Sequence, residues 1–140
     1  MEYKNETSLL GDMPEIYSAI KITFNLPNDL VAIVSKISVL SIEEIEIYYS
    51  SQNSFLQLTL AMVKNEKFWC ISDALKKMFS FVDCALSELR EITIIYHGSV
   101  TIDVAFYQHG TYPALDFDGD NMRKIHYLNA DISIDAYGPL

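Results

Sequence analysis

Three aspartates alternate around a glycine in LDFDGDNMRKI, residues 115–125. Acidic oxygens at such spacing suit a calcium loop, an acid–base pair or a helix start. An EF-hand loop takes oxygens at positions one, three and five, glycine at six and a bidentate glutamate at twelve. Counted from Asp116, the first three are Asp116, Asp118 and Asp120, but position six is Asn121 and position twelve is Tyr127. The sharp turn and the bidentate ligand are both missing, so no metal is expected. The helix reading fits better. Asp118 or Asp120 can accept from the free N–H groups of a first turn, and Arg123 and Lys124 follow toward the negative end.

The remaining reactive residues are sparse. His97 and His109 each precede glycine in turn-like contexts, and His126 stands alone. No HxH or HExxH spacing occurs, which leaves exposed loop histidine as the expectation. Cys70 in FWCI and Cys84 in VDCAL form no CxxC pair. Both have apolar neighbours, so they read as buried free thiols in a reducing compartment, with pKa values raised rather than lowered. A Cys–His nucleophilic pair would have to be assembled in space. Five glycines include no GxGxxG, GxxxxGK[ST] or GxSxG motif. No cofactor is expected.

Asp103 in VTIDVAF and Asp135 in DISIDAY interrupt apolar strands. Alternation groups Asp131, Ser133, Asp135 and Tyr137 against Ile132, Ile134 and Ala136. These acids therefore belong on a solvated sheet face, because an inward carboxylate is costly. Trp69 reads as a core or rim anchor.

The 140 residues carry a formal net charge of −9, and half of them are hydrophobic. That length suits one domain with a core of its own. The charge argues against binding nucleic acid or anionic lipid, which need clustered Lys and Arg. It favours a basic protein partner. The start of the chain is polar, and no apolar run approaches the ~20 residues of a membrane span. A cytoplasmic protein is expected.

Residues 1–15 read as a loose lead-in to a domain over 16–140. Tyr17–Leu26 alternates as a half-buried strand. Pro27-Asn28-Asp29 opens a helix with Leu30, Ile33, Val34 and Ile37 on one face. Ile45–Tyr49 and Phe55–Val63 form a hairpin around SSQNS, and Asn65-Glu66-Lys67 reads as a further turn. A helix starts at Ser72-Asp73, and Asp83 can cap another bearing Leu86 and Leu89. EITIIY, residues 91–96, is ambiguous between helix and strand. Val100–Tyr107 is a strand, Ala114–Phe117 a short strand or strand end, and a helix from about Asp120 leads to a closing strand over Ala130–Tyr137. The fold class is α+β: a single compact domain, mostly antiparallel sheet packed on two to four helices.

The segments WCISDALKKMF, ALSELREI, VTIDVAFY, YPALDFDGDNMRKIHYLNA and DISIDAYG resemble the bacterial family known as domain of unknown function 4279, mainly over residues 69–138. The resemblance implies a small single domain with helix, not strand, through much of Ala85–Tyr96. It implies no active site. Asn129-Ala130 departs from the glycine-containing turn of that family.

An interaction protein is the expected function. Small acidic domains of this kind include immunity proteins, the antitoxins that neutralise a basic toxin, often a nuclease. The candidate partner-binding set is Glu43, Glu44, Glu46 and Tyr48 with Asp116 and Asp118. Acids with an aromatic among them steer and then anchor a basic partner. A small-ligand-binding or regulatory module is the alternative, and an enzyme using Cys84 or a histidine ranks below both.

Overall fold

The computed structural model describes residues 13–25, 29–43, 45–107 and 111–138. The loose lead-in expected at the start of the chain lies outside these residues up to Asp12. Strand β1 spans Glu15–Asn25, and helix α1 spans Leu30–Ser38. Strands β2 (Glu46–Ser50) and β3 (Phe55–Lys67) form the expected hairpin. Helix α2 covers Ile71–Ser80. A 3-10 turn at Asp83–Ala85 leads into α3, Leu86–Ile95. Strand β4 (Ser99–Tyr107), helix α4 (Gly119–Tyr127) and strand β5 (Asp131–Tyr137) complete the chain.

The five strands form one sheet in the order β2-β3-β1-β4-β5. Every pairing is antiparallel except β4 with β5, which are parallel and joined through α4. The sheet is thus mostly antiparallel and packs on four helices, an α+β domain.

Period-two alternation puts Ile16, Ile20, Ile22 and Phe24 of β1 in the core. Leu56, Leu58 and Leu60 of β3 join them, as do Val100, Ile102, Val104 and Phe106 of β4. Ile33 and Ile37 of α1, Leu75, Met78 and Phe79 of α2, Leu89 and Ile92 of α3 and Ile125 of α4 cover the same face. The residues between these on β1 and β4 face the other way, onto a side of the sheet that no helix of the described residues covers. Burying side chains of this size contributes roughly 1.5–3 kcal/mol each.

The helix layer reaches only the three central strands. On β2, Ile47 and Tyr49 pair with Leu58 and Leu56, yet both stay exposed. On β5 every residue is exposed, including Ile132 and Ile134 beside the buried Ile102 and Val104.

Four expectations need correction. Asn65-Glu66-Lys67 is not a turn: β3 continues to Lys67, opposite Glu15. Against β1 it carries two extra residues, and the left-handed backbone at Ala61 and Asn65 absorbs them as bulges. Asp83 makes no capping bond; its carboxylate lies 2.7 Å from the Lys124 ammonium. Ala114–Phe117 is no strand, only a single parallel bridge from Ala114 to Cys70. The thiols are not buried: Cys70 is half-buried and Cys84 exposed. VDCA is a 3-10 turn that turns Val82 and Ala85 inward and Asp83 and Cys84 outward, so apolar neighbours in sequence were not neighbours in space.

Candidate functional site

The uncovered sheet face is built from rows that cross the strands. One row runs Glu46, Thr59, Lys21, Thr101, Asp131 across all five. A second runs Tyr48, Gln57, Thr23, Ser99. Toward the other end, Tyr17 aligns with Ala105 and Asp135, and Glu15 with Tyr107 and Tyr137. Aromatic pairs stiffen both ends. Tyr48 meets Phe55 edge-on at 6.3 Å, and Tyr107 stacks on Tyr137 at 5.2 Å. Such pairs add about 0.5–1.5 kcal/mol beyond burial.

Charge on this face is mixed with an acidic excess: Lys67 stands opposite Glu15 at one end, and Glu46, Asp103, Asp131 and Asp135 outnumber the lysines. Lys21 is committed, its ammonium 3.0 Å from the Asp103 carboxylate. That hydrogen bond raises the Lys21 pKa, against a smaller lowering by burial. A raised lysine pKa gives stability that is complete below the unfolded value of about 10.4 and lost as pH rises through the folded value. The pair is therefore constant through the neutral range, and at this exposure it contributes about 0–1 kcal/mol. Burial raises the Tyr17 phenol; Asp103 and Glu46 add to the rise, while Lys21 and Lys64 oppose it. These groups thus share one electrostatic environment. Asp131 and Asp135 lie exposed beyond them on β5, as strand alternation implies.

The candidate partner residues divide. Glu46 and Tyr48 share the open face of edge strand β2, and Glu43 is exposed in the bend just before it. Glu44 lies outside the described residues. Asp116 and Asp118 are elsewhere, in the segment entering α4 and against the start of α2. The Asp118 N–H donates to Ser72 Oγ at 3.3 Å, and its Oδ1 accepts from the Asn121 N–H at 2.8 Å. Asp118 is the N-cap of α4. Buried Asn121 then donates from Nδ2 to Ser72 O at 3.0 Å and Ser72 Oγ at 3.1 Å. Asp118 and Asp120 of LDFDGDN thus serve the start of a helix. Among the described residues, no group of three His, Cys, Asp or Glu could hold a metal ion.

Reading the histidines one at a time missed a groove. It lies between the C-terminal ends of α3 and α4, has a volume of about 690 Å3, and is walled by Arg90, His97, His126, Tyr127, Asn129 and Asp131. His97 and Asn129 follow their helices with φ of 57° and 51°. Left-handed residues end helices by turning the chain back onto the last carbonyls. Here Gly98 N–H donates to Thr93 O at 2.8 Å, and Ala130 N–H to Ile125 O at 3.0 Å. Two HG- and NA-type helix ends were the available signal. The Arg90 guanidinium sits over the Tyr127 ring at 4.7 Å. His109 lies outside the described residues.

Burial raises the Cys70 thiol pKa; the Asp73 backbone N–H opposes the rise and the Asp73 carboxylate adds to it. The thiolate is the reactive form. A chromogenic disulfide at pH 8 is expected to titrate the exposed Cys84 first and Cys70 in a slower phase. Cys84→Ser is expected to remove the fast phase alone. A single uniform phase would contradict the difference in setting.

A comparison with family models matches none, and no curated protein or solved structure matches the chain. Fold and surface define its class: a small α+β protein with helices on one sheet face and a tyrosine-bearing, acidic surface on the other. No helix of the described residues is long and apolar enough to cross a membrane.

Proposed function

We propose that this chain is an immunity protein, an antitoxin of the bacterial cytoplasm that binds and neutralises a cognate basic toxin, a nuclease in the simplest case. The observation that supports this reading is the open sheet face. It carries Tyr17, Tyr48, Tyr107 and Tyr137 among Glu46, Asp131 and Asp135, on a chain of net charge −9. Tyrosines on a rigid sheet supply contact area at low entropic cost, and surrounding carboxylates steer a basic partner into place. A toxin cleft built for phosphates presents the complementary charge. Masking that cleft blocks the toxin without chemistry by the inhibitor, so no catalysis is proposed.

The test is capture from the source cell at low salt, followed by elution at high salt. One basic protein with nuclease activity that the chain inhibits is the expected product. Glu46→Lys is expected to weaken that complex about tenfold or more, chiefly by slowing association, with a reduced salt dependence. Affinity indifferent to both salt and Glu46→Lys would overturn the mechanism. The groove between α3 and α4 supports a second reading, a small-ligand-binding or regulatory module. A thermal-shift screen against a metabolite panel separates it from the first: a saturable shift that Arg90→Ala removes would favour it.

A further inference from the structure

Strand β5 ends the sheet. It is seven residues long and, among the described residues, pairs with β4 on one side only. Its register against β4 is one-to-one from Thr101↔Asp131 to Tyr107↔Tyr137, with no bulge. It contains no Pro, Lys or Arg. Native proteins blunt an edge with prolines, lysines, bulges or a covering helix, because an exposed edge is a template for another strand. Apart from the charges of Asp131 and Asp135, β5 shows none of these devices among the described residues, and every one of its residues is exposed. Ile132 and Ile134 overhang the helix layer with 37% and 39% of their surface open, although their β4 neighbours are buried.

The two faces of β5 differ in chemistry. Asp131, Ser133 and Asp135 lie on the open side of the sheet, and Ile132, Ile134 and Ala136 on the helix side. A strand added at this edge continues the pleat, so its side chains alternate in the same way. Its helix-side residues would cover Ile132 and Ile134, and its open-side residues would stand beside two aspartates. A second copy of this chain fits poorly. Antiparallel β5 strands would bring four aspartates onto one short ribbon with no basic residue among them, and like charges side by side destabilise a sheet.

We infer that β5 is a docking edge for an extended segment of a basic partner protein, one that alternates apolar residues with Lys or Arg. Main-chain bonds supply affinity and the alternating side chains supply specificity, the strand-addition mode of recognition. The inference deepens the immunity reading and rests on its basic partner. It places the first contact at an edge rather than across the face.

The probe is a capped seven-residue peptide alternating lysine and valine, titrated into the isotope-labelled chain. Saturable shifts and amide protection confined to residues 131–137 are the expected result. The same peptide N-methylated at alternate residues is expected to bind at least about tenfold more weakly, the loss of one or two net hydrogen bonds, and the peptide rearranged into a lysine block and a valine block is expected to bind more weakly because its side chains no longer alternate. Ile134→Lys is expected to do the same. Outward β5 amides already protected in the free chain would overturn the inference, since the edge would be covered. Equal response to the blocked peptide, or no response, would also overturn it. Shifts at Tyr17, Lys21 and Tyr48 with β5 silent would overturn the edge while leaving the face reading intact. Response at β5, combined with a toxin complex indifferent to salt and to Glu46→Lys, would sink the face reading alone.

Discussion

Phe24→Ala is expected to cost about 3–5 kcal/mol of folding free energy. Phe24 is fully buried near the end of β1, the central strand. Total stability for a domain of this size is about 5–15 kcal/mol, so the variant is expected to unfold at much lower urea, with a nearly unchanged slope. The ring has one neighbour that makes the prediction sharper. A Cβ placed on Gly98 would lie 2.7 Å from Phe24 Cε1 and 3.1 Å from Ile22 Cγ2. Gly98→Ala alone therefore overpacks a full site and is expected to cost about 1–3 kcal/mol. Once Phe24 is truncated, the added methyl enters vacated space. The double variant is expected to be more stable than additivity predicts by about 0.5–3 kcal/mol. Strict additivity would show that the His97-Gly98 turn does not lean on this ring.

Asn121→Asp is expected to cost about 3–5 kcal/mol near neutral pH while changing almost no volume. Asn121 is buried at the start of α4, and its amide nitrogen donates to both Ser72 O and Ser72 Oγ. A carboxylate there has no donor to offer. It would set a negative charge against the Ser72 carbonyl, near the Asp118 carboxylate that caps the helix. Desolvation and that repulsion raise the pKa of the introduced acid in the folded state. The sign follows from linkage. The penalty is absent below the unfolded carboxylate value of about 3.9 and grows as pH rises above it, levelling off once the folded value is passed. Stability relative to wild type is thus expected to recover on acidification. Urea melts of both proteins from pH 4 to pH 8 measure it. A pH-independent difference would mean that the acid reaches solvent.

Most elements were legible because burial on one face enforces a period. Ile20, Ile22 and Phe24 of β1, and Val100 to Phe106 of β4, alternate cleanly and fold as read. Ile33 and Ile37 mark the inner face of α1. EITIIY was not decided by its residues. Its β-branched side chains favour strand, but the stretch folds as the end of α3, with Ile92 and Thr93 inward and Ile94 and Ile95 exposed. Tertiary packing of Leu89 and Ile92 outweighs local preference there. The rest of β3 was hidden for a related reason. Asn65 looks like a turn residue because it takes a left-handed backbone, and it does so inside a strand. The contact surface was legible only in part. Glu46 and Tyr48 share a face because the strand repeat puts them there. That Asp131 and Asp135 share the same sheet surface depends on strand order, which no local pattern encodes.

That order also fixes a timetable. Of the five described strands, β1 leaves the ribosome before the others, yet it sits at the centre of the sheet, between β3 and β4. Its second partner is complete only at Tyr107, about 80 residues after Asn25. At synthesis rates of about 5–20 residues per second, an apolar strand with one flank unpaired must wait roughly 4–16 s for its neighbour. Long-range pairing of this kind also slows folding once the chain is free. The β2–β3 hairpin and α1 are finished well before then and are the natural escorts for that interval. A nascent chain stalled before β4 is therefore the form of this protein with most reason to meet a chaperone.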